Sequence, residues 1–74
     1  MSNGEIIDFY SELKRDISNA ITDKALRILE SRSLRFLREI TSNPMIRVNI
    51  RRQAMRLHSK AVKSINRRKS RINR

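Results

Sequence analysis

Glycine and proline are almost absent from this 74-residue chain, in which the only glycine is Gly4 and the only proline is Pro44. These two residue types interrupt helices most strongly, whereas the Leu, Ile, Ala, Arg, Glu and Lys that dominate the chain favour them. We therefore expect an all-α protein, a small three-helix bundle with a long basic C-terminal helix. One domain is predicted over residues 1–68, with helices at about residues 4–19, 22–41 and 44–68.

Apolar residues recur at helical spacing through the first half of the chain and predict the buried faces of two helices. Thr22 or Asp23 is a suitable N-cap, which favours a break near residues 19–22. Because neither glycine nor proline enforces a turn there, one continuous helix over residues 5–41 is the alternative. The predicted buried residues are Ile6, Tyr10, Leu13 and Ile17 in the first helix, and Ala25, Leu26, Leu29, Ser33, Phe36, Leu37 and Ile40 in the second.

A second boundary is predicted at Asn43-Pro44. Asn43 can cap a helix, and proline fits the first helical position, where its missing N–H costs nothing. The third helix then follows, with a predicted buried stripe of Ile46, Ile50, Ala54, Leu57, Ala61 and Ile65. Residues 69–74 are interpreted as a basic tail that is either disordered or becomes helical on binding, because the triplet Ile-Asn-Arg recurs there one heptad after residues 65–67.

The net charge of +11 is confined to one part of the chain. Residues 1–43 contain seven cationic and seven acidic residues, whereas residues 44–74 contain eleven cationic residues and no acid. Such asymmetry favours binding to a polyanion. Thirteen of the eighteen cations are arginines, whose planar guanidinium groups hold phosphate bidentately.

The predicted site is a cationic face of the third helix that contacts the phosphate backbone of nucleic acid. Six to eight such contacts predict a log–log salt dependence of affinity of about −5 to −7. None of the three aromatic residues, Phe9, Tyr10 and Phe36, lies in the basic segment, so a duplex or a structured RNA is favoured over single strands. Between these two, we favour duplex DNA. The candidate phosphate contacts are Arg47, Arg51, Arg52, Arg56, Lys60, Lys63, Arg67 and Arg68, and the candidate base contacts are Asn49 and Gln53.

Residues suited to catalysis are scarce. The chain has no cysteine and a single histidine, His58, so a Cys–His pair or a zinc cluster cannot be built. His58 is interpreted as a boundary side chain. We expect no enzymatic activity, no cofactor and no metal. No apolar run approaches the ~20 residues that span a bilayer, so we expect no membrane partner. The expected location is cytoplasmic and associated with the nucleoid.

A second apolar strip, at Val48, Met55 and Val62, together with Ile28 and Leu34 of the second helix, predicts either extra packing within the bundle or a protein partner, with self-association as a further alternative.

The neutral "GEIIDFYSELKRDISNAI" followed by the acid-free "NPMIRVNIRRQAMRLHSKAVKSINRRKSRINR" resembles the small basic accessory subunits of crenarchaeal B-family DNA polymerases. The resemblance implies a polymerase partner and support of DNA replication by gripping the template-primer duplex. Small ribosome-associated proteins share this character, so a ribosome- or RNA-associated protein is an alternative, as is an interaction subunit whose arginine-rich helix docks on an acidic partner surface.

Overall fold

A computed structural model describes residues 2–72 of the chain, which form three α-helices: α1 (Asn3–Asn19), α2 (Asp23–Ser42) and α3 (Val48–Ile72). The predicted all-α three-helix bundle is therefore confirmed. A short connection over residues 20–22 separates α1 from α2, so the alternative of one continuous helix is wrong. The helices α1 and α2 each pack mainly against α3, which runs along the groove between them.

Side-chain caps fix the starts of the first two helices. The hydroxyl of Ser2 accepts a hydrogen bond from the backbone N–H of Glu5 at 3.3 Å, and Thr22 does the same for Ala25 at 3.1 Å. Each cap satisfies one of the backbone donors that the first turn of a helix leaves without a partner. The predicted break near residues 19–22 is confirmed, and of the two candidate N-caps, Thr22 and Asp23, the structure shows Thr22 in this role.

The third helix begins at Val48 rather than at Pro44, so the prediction that Asn43 caps α3 with Pro44 in its first turn was wrong. Asn43 is instead the C-cap of α2, and its side-chain oxygen accepts the N–H of Met45 at 3.0 Å. That local bond closes a turn, a conformation that Asn and Pro also favour. Ile46 is buried in this connection, as predicted, although it precedes the helix.

The buried core matches the predicted apolar faces closely. All four predicted residues of α1 are buried, and Ala25, Phe36, Leu37, Ile50 and Leu57 are half-buried around the core. Phe9 and Phe36 stack with ring centroids 3.8 Å apart and join α1 to α2, so the aromatic residues serve packing. The buried core residues are Ile6, Tyr10, Leu13, Ile17, Ala20, Leu26, Leu29, Ser33, Ile40, Ile46, Ala54, Ala61 and Ile65.

A chain of polar side chains crosses the core and takes one residue from each helix. The hydroxyl of Ser33 in α2, which is completely buried, lies 3.2 Å from the phenol oxygen of Tyr10 in α1 and 2.7 Å from Nδ1 of His58 in α3. Buried polar groups that satisfy one another in this way favour a single register of the helices. His58 is therefore more than the boundary side chain that the sequence suggested.

The helix α3 continues to Ile72, so residues 69–72 of the predicted tail are helical without a bound partner, and residues 73 and 74 lie outside the described part of the chain. Two contacts explain why these residues are helical. Ile72 packs against the core, and Lys69 Nζ lies 3.4 Å from a carboxylate oxygen of Glu30 in α2. The interpretation of residues 69–72 as a disordered tail is therefore wrong.

Candidate nucleic-acid interface

The outward side of α3 carries a continuous row of cations. Its members follow one another at intervals of three or four residues, so that at about 100° per residue they fall within an arc of about 100° opposite the buried Ala54, Ala61 and Ile65. All of them are exposed to solvent. We call this set the outer row of α3: Arg52, Arg56, Lys60, Lys63, Arg67 and Arg71. Along the helix axis the outer row extends for about 29 Å.

Five of the eight predicted phosphate contacts thus lie together in the outer row, and Arg71 adds a sixth cation. The sequence reasoning missed Arg71 because it assigned this residue to the tail rather than to the helix. The signal that could have found it is the helical spacing of Lys63, Arg67 and Arg71. Arg47 is exposed but lies in the connection before α3, away from the start of the outer row.

The two remaining predicted contacts, Arg51 and Arg68, turn back onto the protein. An Nη of Arg51 donates to the carbonyl of Asn43 at 2.7 Å, and Nε of Arg68 donates to the carbonyl of Ala20 at 3.0 Å. Asn43 and Ala20 are the C-caps of α2 and α1. A cation at the C-terminal end of a helix also interacts favourably with the helix dipole. Both arginines, which are half-buried, therefore tie α3 to the ends of the other two helices.

The two candidate base contacts differ in their surroundings. Asn49 is exposed in the first turn of α3, and its side-chain oxygen accepts the backbone N–H of Ile50 at 3.1 Å. Gln53 is half-buried, on the flank of α3 at the edge of the outer row. At about 100° per residue Asn49 lies within the arc of the outer row, one turn before Arg52, whereas Gln53 lies at the edge of the arc.

A groove of about 640 Å³ between α1 and α3 borders the outer row. Its lining includes Lys60, Lys63 and Arg67 from the outer row and Lys14 from α1, together with Ile7, which is partly exposed. No acidic residue lines it. Lys14 belongs to the electrically neutral half of the sequence and gave no signal of its own, because only packing brings it beside α3.

The ion pairs of the described residues lie outside the outer row. The ion pairs among residues 2–72 join Glu12 to Arg15, Asp23 to Arg27 and Asp16 to Arg32, besides Lys69 to Glu30, at 3.0–3.9 Å. None of them involves a cation of the outer row. Because no carboxylate neutralises these six charges within the described residues, their combined field acts on the solvent side of α3.

The residues with catalytic potential are engaged in the core. Ser33 and His58 form a hydroxyl–imidazole pair, but the Ser33 hydroxyl is completely buried and has no open side to meet a substrate. Burial raises the pKa of Tyr10, and the hydrogen bond with Ser33 opposes that rise. Within residues 2–72 no group of His, Asp and Glu is placed to hold a metal ion.

Comparison with known proteins yields no match: no protein-family model, no curated protein and no solved structure is detectably similar to the chain. Among residues 2–72, none of the helices has the length and apolar character that crossing a membrane would require.

Proposed function

We propose that this protein binds duplex nucleic acid, DNA in preference to RNA, by contacting the phosphate backbone with the outer row of α3. The observation that carries the proposal is the alignment of six exposed cations along about 29 Å of one helix, with no carboxylate paired to them within the described residues. Over that length B-DNA carries about 17 phosphates, so each cation of the row can reach one.

The proposed mechanism is electrostatic and independent of base sequence. Each phosphate that a cation neutralises releases condensed counterions, and six contacts give a log–log slope of affinity against salt of about −5. This slope is the least steep of the range expected from the sequence. The reason is that Arg51 and Arg68, which the sequence counted as phosphate contacts, are bonded to backbone carbonyls. Contacts of this kind position a protein on the duplex without reading its sequence.

The role that we propose is that of a non-enzymatic accessory protein in the nucleoid, within a DNA replication complex. The grip on duplex DNA supports this role, and the resemblance to polymerase accessory subunits suggests a polymerase as the larger partner. A replication factor needs to hold the duplex at any sequence, which backbone contacts accomplish.

The test is the binding of a short labelled DNA duplex across a salt series. We expect affinity to fall by about a thousandfold between 50 and 200 mM salt, as a slope near −5 requires. The variant in which Arg56, Lys60 and Lys63 are all replaced by Gln should show a slope smaller by about 2.7. The control is Arg15→Gln, since Arg15 is an exposed cation that lies opposite the buried side of α1 and does not belong to the outer row. An affinity that is insensitive to salt would refute the mechanism, and a duplex RNA that binds more tightly than DNA would favour the ribosome-associated alternative.

A second candidate function, the docking of a protein partner, is favoured by the apolar strip on α3. Val48 and Met55 remain 59% and 54% exposed in the folded chain, so packing within the bundle does not absorb them. Val62, one heptad further, is half-buried. Replacing Val48 and Met55 with Ser should abolish recovery of a partner from nuclease-treated extract while leaving duplex affinity within twofold. Unchanged recovery would count against this candidate.

A further inference from the structure

A second cationic face lies on the outward side of α2. Its four members, Lys24, Arg27, Arg35 and Arg38, are exposed and fall within an arc of about 80°, opposite the buried side of the helix. We call this set the α2 face. It extends for about 21 Å along the helix axis. A shallow depression of about 400 Å³ runs along it, with Ile28 and Ser31 between the cations.

Most of the charge on the α2 face is available for binding. Arg27, which is exposed, lies 3.0 Å from the half-buried Asp23, and because ion pairs at the surface contribute little to stability, a phosphate can compete for this guanidinium. Lys24, Arg35 and Arg38 take part in none of the ion pairs formed among residues 2–72. The helical positions of the acids of α2, Asp23, Glu30 and Glu39, fall outside the arc of the face.

The α2 face and the outer row of α3 point away from each other. The buried sides of the two helices meet in the core, where Ser33 bonds to His58, so their outward sides diverge. With helix axes 8–10 Å apart and side chains reaching outward, the two sets of cations are about 15 Å or more apart. A straight duplex that lies along one set therefore leaves the other set open to solvent.

We propose that one molecule of this protein bridges two duplex segments, with the outer row of α3 on one segment and the α2 face on the other. The inference depends on the proposed duplex binding by α3 and adds a second, weaker site. Phosphate binding of this kind requires no base sequence, so any two segments of duplex can be joined. At physiological ionic strength the Debye length is about 8 Å, which is shorter than the separation of the two sets, so each acts nearly independently of the other.

The experiment measures capture of a fluorescent duplex by beads that carry a second, immobilised duplex, with the full-length protein added. It is run alongside the affinity of each variant for a single short duplex. Two matched variants each remove three cations: Lys24→Gln with Arg35→Gln and Arg38→Gln on the α2 face, and Arg56→Gln with Lys60→Gln and Lys63→Gln on the outer row. All substitutions are at exposed positions, and circular dichroism verifies that both variants remain helical.

We expect the wild-type protein to capture the second duplex. The α2-face variant should lose at least 90% of capture while its affinity for a single duplex changes by less than threefold. The outer-row variant should lose both. Capture that persists in the α2-face variant, as a dimer joined through other surfaces would give, overturns the inference. It is also overturned if the α2-face variant loses single-duplex affinity as much as the outer-row variant, because both sets would then grip the same duplex.

Two further outcomes separate the inference from the function on which it depends. If the wild-type protein binds a single duplex but never captures a second, bridging is refuted and the proposed function stands. If it binds no duplex at all, both are refuted.

Discussion

Arg67 and Arg68 are adjacent arginines of the same helix, but replacing them with glutamine should affect different properties. Arg68→Gln should lower the stability of the protein, whereas Arg67→Gln should lower its affinity for duplex DNA. Arg67 is exposed in the outer row of α3, whereas the Nε of Arg68 donates to the carbonyl of Ala20 at 3.0 Å. Hydrogen bonds from charged groups contribute about 1.5–3 kcal/mol, and the partial exposure of Arg68 places its value toward the lower end. We expect Arg68→Gln to lower the free energy of unfolding by about 1–2 kcal/mol.

That loss should be visible in thermal unfolding. In a domain of this size each kcal/mol shifts the midpoint temperature by about 4–8 °C, so Arg68→Gln should lower it by about 4–16 °C. Arg67→Gln should stay within about 0.5 kcal/mol of the wild-type protein, as exposed substitutions usually do. Far-UV circular dichroism during urea and thermal unfolding measures both variants under the same conditions.

For duplex affinity we expect the larger loss in Arg67→Gln and the smaller loss in Arg68→Gln. Removing one phosphate contact lowers the salt slope by about 0.9, which corresponds to about a fivefold loss of affinity at 0.15 M salt. We expect this loss for Arg67→Gln and less than a twofold change for Arg68→Gln, measured well below its unfolding midpoint. If the two variants weaken binding equally, or if Arg68→Gln unfolds like the wild-type protein, the separate roles given to these residues are wrong.

Three further predictions concern the stability of the bundle. Ser33→Ala removes the link between Tyr10 and His58 and should lower the free energy of unfolding in urea by about 2–3 kcal/mol, because the buried phenol loses its partner. The exposed control Ser31→Ala should change this free energy by less than about 0.5 kcal/mol. Equal effects of the two changes would show that the polar chain contributes nothing to stability. Thr22→Ala should cost about 1 kcal/mol through loss of the N-cap of α2, and an unchanged urea midpoint would contradict the assigned cap. Because burial raises the pKa of Tyr10, its contribution to stability is complete below about pH 10 and is lost as pH rises through the folded-state pKa. Tyr10→Phe should therefore reduce the loss of stability above pH 10, and an identical alkaline profile for the two proteins would refute this assignment.

The fold was largely predictable because it depends on local signals. The period of Ile6, Tyr10, Leu13 and Ile17 and the scarcity of glycine and proline identify the helices before any packing is known. The connection at Asn43 was predicted incorrectly for a local reason as well. Asn followed by Pro suits either a helix start or a turn, and the buried position of Ile46 and the bond from Arg51 to the Asn43 carbonyl, both of which involve packing, accompany the turn.

The candidate site was only partly predictable, because charge along a sequence does not determine the direction of each side chain. Arg51 and Arg68 are arginines of α3, like several members of the outer row, but they lie near the sides of α3 that meet α2 and α1. Backbone carbonyls of those helix ends accept their N–H groups. Lys14 and the α2 face come from a half of the chain with no net charge. Packing alone brings Lys14 beside the outer row, whereas the cations of the α2 face are separated from the acids of α2 by their positions around the helix.

The sequence by itself determined that this chain is helical, where its apolar faces lie and that its excess positive charge follows residue 43, since each of these depends on residues close to one another in the chain. Tertiary structure decided which arginines face solvent, which hold the ends of other helices, and how Ser33 joins Tyr10 to His58. Apart from Arg51, whose partner Asn43 is eight residues away, these side chains have partners 23 to 48 residues away, whose positions become fixed only when the helices pack.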